Sequence, residues 1–223
     1  MIKIEMRRRS DPSDDVAALH AHLVQGLTEL IPNWWNAGAT INEPDLDNGL
    51  ESQVNLGPGL PDNAQGYVAY VFRDANYSRD LAEFDDRLVL DIRVASKEYR
   101  EAVNELFPSL VRVFEPYRAS IILDEDLALD DWESANERGR QTGKDEDGRD
   151  GVIRIPPVGF FDNAFCLRVF GLDDGEFARR LDGVAEKTLR LNDGIFFVFS
   201  MEMLDRKQLV DLDQRVRSEL SVA

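Results

Sequence analysis

The side chains of this sequence that are best suited to chemistry are carboxylates, and they are densest in residues 124–150. This stretch holds eleven carboxylates against four basic residues. Clustered carboxylates attract cations and basic proteins, and they repel nucleic acid and anionic membrane surfaces. The whole chain has a formal net charge of -17 at pH 7 over 223 residues, which reinforces this preference. We therefore predict no direct binding to nucleic acid or membranes.

Metal binding is one chemistry that such carboxylates support. Residues 124–126 and 145–148 are both clusters of hard oxygen ligands. Neither cluster has the spacing of a calcium loop, which needs a glycine at its sixth position and a glutamate at its twelfth. The sequence predicts no metal site and no cofactor.

Nucleophilic or acid–base catalysis would need other residue types in a suitable arrangement. His20 and His22 are two residues apart on a predicted helix, so they do not share a face. Cys166 lies between Phe165 and Leu167 in a predicted strand, where a buried, inert thiol is the default. The sequence has no Walker loop, dinucleotide fingerprint, nucleophile elbow or zinc signature. We predict a non-enzyme, with a carboxylate-based, metal-dependent hydrolase as the enzymatic alternative.

Binding of a basic protein is the other use of these acids. Helical periodicity after Asp124 predicts an acidic helix with one inward, apolar face and a separate stripe of carboxylates. Like charges at i,i+4 cost roughly 0.2–0.5 kcal/mol per pair, and a basic partner would relieve this repulsion. A solvated face of an acidic protein is the alternative. The predicted inward residues are Ala128, Leu129, Trp132 and Ala135. The predicted contact residues are Asp126, Asp130, Glu133 and Glu137, with Asp145, Glu146 and Asp147 as a second patch.

Adjacent aromatic residues supply a second type of candidate contact. Trp34 and Trp35 lie in a segment without clear periodicity, and tryptophan is enriched at the centres of protein interfaces. The alternative is that the pair covers an edge of the core. We expect at least one of them to pack in the core.

Helices and strands must position these residues. The periodicity of apolar residues along the chain predicts an α+β protein with a mixed or mainly antiparallel sheet and flanking helices. Strands are predicted at 2–6, 67–72, 88–94, 121–123, 165–169, 188–191 and 195–201. Helices are predicted from 11 to about 32, over 96–114, from 124 to about 138, and over 174–181 and 205–220.

Local signals set several boundaries. Asp11 with Pro12 resembles a helix start, and Ser96 can cap the second helix. Pro108 should kink that helix on its exposed side. The Asn-Asp-Gly turn at 192–194 predicts a hairpin. Asp205 with Gln208 resembles a capping box for the last helix.

The element order suggests an internal relation between the two ends of the chain. Residues 2–115 and 163–220 both read strand, helix, strand, strand, helix. We predict one compact domain over 1–223, with possible βαββα-like sub-halves at 1–123 and 152–223 joined by an acidic helix and loop at 124–151. A single cysteine excludes an intramolecular disulfide, and no apolar run has the length of a signal peptide or a membrane span. We expect a cytoplasmic protein.

The chain resembles a group of bacterial immunity proteins in its length, its acidity and the order of its elements. It also resembles them in the stretch Asp130-Asp131-Trp132-Glu133 on a charged helix. These proteins belong to polymorphic-toxin and type VI secretion systems, and the resemblance is to the α+β family paired with restriction-endonuclease-like toxins. It implies a role in bacterial competition, in which the chain binds and neutralises a cognate basic toxin, a DNase. DNases hold phosphates with basic channels, which an acidic helix can cover. A secretion chaperone or a nucleic-acid mimic is the alternative acidic binding module.

Overall fold

The computed structural model describes residues 1–46, 50–73, 82–143 and 148–220, and its framework is an antiparallel sheet. The strands are β1 (Ile2–Arg9), β2 (Glu51–Asn55), β3 (Ala64–Val71), β4 (Asp85–Ile92), β5 (Arg118–Ile122), β6 (Val158–Asp162), β7 (Lys187–Leu191) and β8 (Gly194–Val198). They form one sheet in the order β2-β3-β4-β1-β5-β6-β8-β7, and all neighbouring strands are antiparallel. The predicted α+β class, with helices flanking a mainly antiparallel sheet, is confirmed.

The helices lie between and after these strands. They are α1 (Val16–Leu30), α2 (Ser96–Glu101), α3 (Phe107–Phe114), α4 (Glu125–Thr142), α5 (Asn163–Phe170), α6 (Asp174–Arg180) and α7 (Arg206–Leu220). A π-helical stretch, Ala102–Leu106, joins α2 to α3. None of the helices in the described ranges combines the length and the apolar composition needed to cross a membrane.

The first core lies on one face of the sheet. Alternation along β1 buries Ile2, Ile4 and Met6 on that face, because successive strand residues point to opposite sides. These side chains form one cluster with apolar residues of α1 and α3. The first core therefore covers β1 and its neighbouring strands with the N-terminal helices.

The second core lies on the opposite face of the sheet, over β6 and β8. Phe160 belongs to the first core, whereas the next residue, Phe161, belongs to the second. Phe161 packs against Phe165 of α5 and Phe177 of α6, with ring centroids 5.0 and 5.8 Å away. Residues of α7 complete this cluster. The two groups of helices thus cover opposite faces of one sheet.

The element order resembles the suggested repeat only when β2 and α6, which have no counterparts, are left out. β1, α1, β3, β4 and the α2–α3 helix match β6, α5, β7, β8 and α7 in order, and the sheet places the strands as β3-β4-β1 and β7-β8-β6. The second repeat begins at β6 and not at the predicted strand 165–169. A single domain with sub-halves at 1–123 and 152–223 stays a prediction.

The strand predicted at 165–169 is wrong, because those residues lie in α5. The Asp162 side chain caps this helix by accepting a hydrogen bond from the Phe165 amide at 2.5 Å, and Gly171 ends it in the left-handed conformation. These two end signals outweigh the apolar alternation of Phe165, Leu167 and Val169. The strands β2 and β6 were not predicted.

Several predicted helix details also need correction. Helix α1 begins after Asp15, which accepts from the Ala18 amide, and not after Asp11. Ala95, and not Ser96, is the N-cap of α2, and the Glu98 carboxylate accepts from its amide. Pro108 is buried and not exposed, and the irregularity lies in the π-helical stretch just before it. The capping box of α7 is confirmed, since Asp205 and Gln208 exchange backbone-to-side-chain hydrogen bonds.

Candidate functional site

Helix α4 presents a face to solvent that differs from the predicted one. Its buried residues are Leu127, Ala135 and Gly139. Leu129 and Trp132 are 53 % and 56 % exposed, so their predicted inward orientation is wrong. The exposed side of this acidic helix therefore carries two large apolar side chains.

Several acids of α4 attach the helix to the rest of the protein. Asp124 caps it by accepting from the Leu127 amide at 2.8 Å, and Glu125 pairs with Lys3 at 3.0 Å. Asp131 accepts two hydrogen bonds from Arg154, at 2.6 and 2.7 Å. Such a bidentate pair is among the stronger charge-assisted contacts. These carboxylates hold α4 in place.

The predicted carboxylate stripe divides into paired and unpaired members. Asp130 forms an ion pair with Arg206 at the start of α7, and Glu137 pairs with Arg140 at 3.5 Å. Asp126 and Glu133 are exposed and make no hydrogen bond or ion pair with a residue in the described ranges. Leu129 is three residues from Asp126 and four from Glu133, so the three side chains are neighbours on the helix surface. We call Asp126, Leu129, Trp132 and Glu133 the α4 surface.

The second predicted patch, Asp145, Glu146 and Asp147, lies outside the described residues. The chain after it turns inward, where Arg149 donates two hydrogen bonds to Asp85 at 2.8 and 2.5 Å. Tyr117 donates to the other Asp85 oxygen at 2.6 Å. Burial raises the pKa of Asp85, although the hydrogen bonds from Tyr117 and Arg149 act in the opposite direction. This network fixes the end of the acidic loop to β4.

The predicted tryptophan pair packs towards the first core. Trp35 is 6 % exposed, and Gly59 leaves the room that its indole ring occupies. Trp34 is partly buried against the same cluster. Core packing of at least one member is confirmed, and a binding role for the pair stays a prediction.

A cleft of about 290 Å³ lies beside the α4 surface. Trp132, Leu127 and Leu209 contribute apolar side chains, and the segment 152–157 forms another wall. Arg217 holds this segment by donating to the carbonyl oxygens of Val152 and Ile153 at 2.7 and 2.9 Å. The cleft therefore has walls fixed from α4, α7 and the connecting segment.

The floor of the cleft is charged and comes from β1 and β5. Arg7 donates to Glu5 at 2.9 Å, and Arg118 donates to the Gly148 carbonyl oxygen at 2.7 Å. Burial would raise the pKa of Glu5, but the charges of Arg7 and Arg118 lower it, so Glu5 stays ionised. Burial and the charge of Arg7 lower the pKa of Arg118, although Tyr117 and the carboxylates of Glu5 and Asp85 act in the opposite direction.

The other residues considered for chemistry lie apart from this cleft. His20 is buried with Nδ1 3.2 Å from the Tyr70 hydroxyl, whereas His22 is exposed. Cys166 is buried in α5, and burial raises the pKa of its thiol to about 12. Within the described ranges, no three His, Cys, Asp or Glu side chains are grouped so as to hold a metal ion.

Comparison with solved structures finds a similar fold in a bacterial protein. The chain superimposes on the Pseudomonas aeruginosa T6SS protein PA0821 with a TM-score of 0.60 and 11 % sequence identity. The match covers 99 % of this chain and 75 % of that chain. At this identity the likeness shows the fold alone. No family model and no curated protein sequence matches the chain.

Only part of this site could be predicted from the sequence. The acidic helix and its free carboxylates Asp126 and Glu133 were predicted, whereas the exposure of Leu129 and Trp132 was not. Asp131 occupies the flank of α4 that faces Arg154, 23 residues further along the chain. Apolar periodicity does not detect a charged residue on the inward side of a helix. The predicted inward face therefore included Leu129 and Trp132, which are exposed.

Proposed function

We propose that this protein is an immunity protein of a type VI secretion system that binds and neutralises a cognate basic toxin in the cytoplasm. The observation that carries the proposal is the α4 surface, where unpaired carboxylates adjoin exposed apolar side chains. Protein interfaces combine central aromatic anchors with polar surroundings, and this surface has both components. The resemblance to immunity proteins and the fold shared with the P. aeruginosa T6SS protein support the same role.

Charge gives the partner its chemical class. The chain carries 43 acidic and 26 basic residues, so a basic protein is attracted from a distance. A nuclease toxin must hold phosphates with lysine and arginine, and these groups would pair with Asp126 and Glu133. In this proposal, Trp132 fills an apolar depression on the toxin, and the carboxylates cover its substrate channel.

The test measures capture of a basic partner from lysate of the source cell by the immobilised protein, with the partner identified by mass spectrometry. We expect the wild-type chain to retain one basic protein, encoded beside its own gene, and less of it at higher salt. The double variant Asp126→Lys/Glu133→Lys should lose most of this protein, since it reverses the two unpaired charges. Trp132→Ala should weaken retention at least tenfold, which is ordinary for an aromatic anchor.

Glu105→Lys is the matched control, because Glu105 is an exposed acid on the opposite group of helices and makes no ion pair with a described residue. It changes the net charge in the same direction but leaves α4 intact. Equal losses in Glu105→Lys and Glu133→Lys single variants would show that the net charge matters and the α4 surface does not. Retention that is unchanged in the double variant would reject this surface as the interface.

A further inference from the structure

The cleft beside α4 contains a cation, Arg118, that forms no ion pair at contact distance with a described carboxylate, although the charges of Glu5 and Asp85 act on it from further away. Six charged residues line it, and four of them form the pairs Glu5–Arg7 and Asp131–Arg154. The Asp124 carboxylate accepts from the Leu127 amide as the helix cap. Arg118 is left with the Gly148 carbonyl oxygen, and no carboxylate in the described ranges lies within ion-pair distance of it.

Such a guanidinium favours an anionic ligand. Arg118 is half-buried, and a guanidinium has five N–H donors, of which one hydrogen bond uses a single donor. A desolvated cation gains more from a carboxylate than an exposed one does, because water screens the pair less.

The walls select for an apolar body. Trp132 and Leu127 of α4 face the same space as Leu209 of α7 and Ile153 of the connecting segment. Ligand sites typically pair such walls with a few polar groups, and their volumes begin near 300 Å³. The volume of about 290 Å³ therefore corresponds to a small ligand.

We propose that this cleft binds a small monocarboxylate with an aliphatic or aromatic body, whose carboxylate pairs with Arg118 while its body contacts Trp132 and Leu209. The site is distinct from the toxin contact proposed above, although Trp132 contributes to both. Its occupation needs no protein partner, so the two proposals fail independently.

Calorimetric titration of the purified full chain tests this proposal, with octanoate as the probe and octanamide as its uncharged counterpart. We expect octanoate to bind with one-to-one stoichiometry and octanamide to bind at least tenfold more weakly, because the amide cannot form the ion pair. Equal affinities would reject a role for Arg118. Absence of octanoate binding at millimolar concentration would overturn the whole proposal.

Variants separate the two parts of the site. Arg118→Met should weaken octanoate at least tenfold and leave octanamide unchanged, whereas Trp132→Ala should weaken both. Leu129→Ala is the control, since Leu129 is exposed on the same helix but does not line the cleft. Octanoate affinity that survives Arg118→Met, or that falls as much in Leu129→Ala as in Trp132→Ala, would contradict the assignment. If Arg118→Met does not fold, the comparison of octanoate with octanamide on the wild-type chain still shows whether the charge of the ligand contributes to binding.

Discussion

The buried carboxylate of Asp85 is compensated by an ion pair with Arg149. Its side chain is fully buried, and the Arg149 side chain that pairs with it is 5 % exposed. Taking two charges out of water is costly, so the pair itself adds little, but the loss of one partner leaves the other uncompensated. The stability of this region therefore depends on Arg149 reaching back from the acidic loop to β4.

We predict that Arg149→Met lowers the free energy of unfolding by about 3–5 kcal/mol, because it leaves the Asp85 carboxylate buried without its cation. Asp85→Asn/Arg149→Met should recover part of this loss, since it removes the unpaired charge. Denaturant unfolding measures both. Arg140→Met is the surface control, as its ion pair is exposed and worth at most about 1 kcal/mol. A loss in Arg149→Met that equals the control would contradict the network.

The sequence shows which acidic residues lie on α4, but it does not show which of them cap the helix, form ion pairs or remain unpaired. Asp124 and Asp126 look equivalent in the chain, yet one caps α4 and the other is free. The difference comes from backbone conformation at Asp124, which is extended and starts the helix. Asp130 was predicted as a free contact, but Arg206, 76 residues away, forms an ion pair with it. Long-range pairs of this kind have no local signal.

The packing of α1 against α3 depends on a glycine in the middle of a helix. A Cβ atom at Gly26 would lie 2.5 Å from Cγ1 of Val113, closer than real carbon atoms approach. The absence of a side chain at this position therefore allows the two helices to approach each other. Glycine lowers helix propensity by about 1 kcal/mol relative to alanine, so α1 is locally weakened by this close contact.

We predict that Gly26→Ala destabilises the protein, although alanine is the better helix former. Overpacking typically costs about 1–3 kcal/mol, which offsets or exceeds the propensity gain of about 1 kcal/mol. Gly26→Ala/Val113→Ala should be more stable than the sum of the two single variants predicts, because the smaller residue 113 makes room. Thermal unfolding of the four proteins gives the coupling. A stabilising effect of Gly26→Ala alone would show that the helices are not held this closely.

Elements with two independent signals were predicted, and those with conflicting signals were not. The apolar run of β8 and the Asn-Asp-Gly turn agree on the β7–β8 hairpin, and Asn192 takes the positive φ of 50° that this turn needs. In α5, apolar alternation suggests a strand, but Asp162 and Gly171 define helix ends. β2 alternates buried and exposed residues over only five positions, at an edge of the sheet. An edge strand this short has too few apolar residues to be recognised in the sequence. β2 forms because it pairs with β3.

On the scale of the whole molecule, the site shares one face of the sheet with the second core, and the sheet separates it from the first core. The first core lies on one face, and the second covers the β6–β8 side of the other. The remaining part of that second face, over β1 and β5, carries charged residues and is bordered by α4. The cleft and the α4 surface thus lie beside the second core, whose Ile155 and Phe161 line part of the cleft.

The α+β class and the helices named above, apart from α5, could be derived from the sequence because they follow from local periodicity. The position of α4 could not, because it depends on Lys3, Arg154 and Arg206, which come from three distant parts of the chain. The surface that α4 exposes follows from those three ion pairs. For the same reason, the partner's contact residues require the folded arrangement and not the helix alone.

Growth of bacteria that express the captured basic partner, with or without this protein, tests the immunity function directly. We predict that the partner alone stops growth, and that co-expression of the wild-type chain or of Glu105→Lys restores it. Asp126→Lys/Glu133→Lys should fold but fail to restore growth, because its α4 surface repels the toxin. A partner that is harmless alone, or a toxin whose effect the wild-type chain does not prevent, would contradict the immunity function.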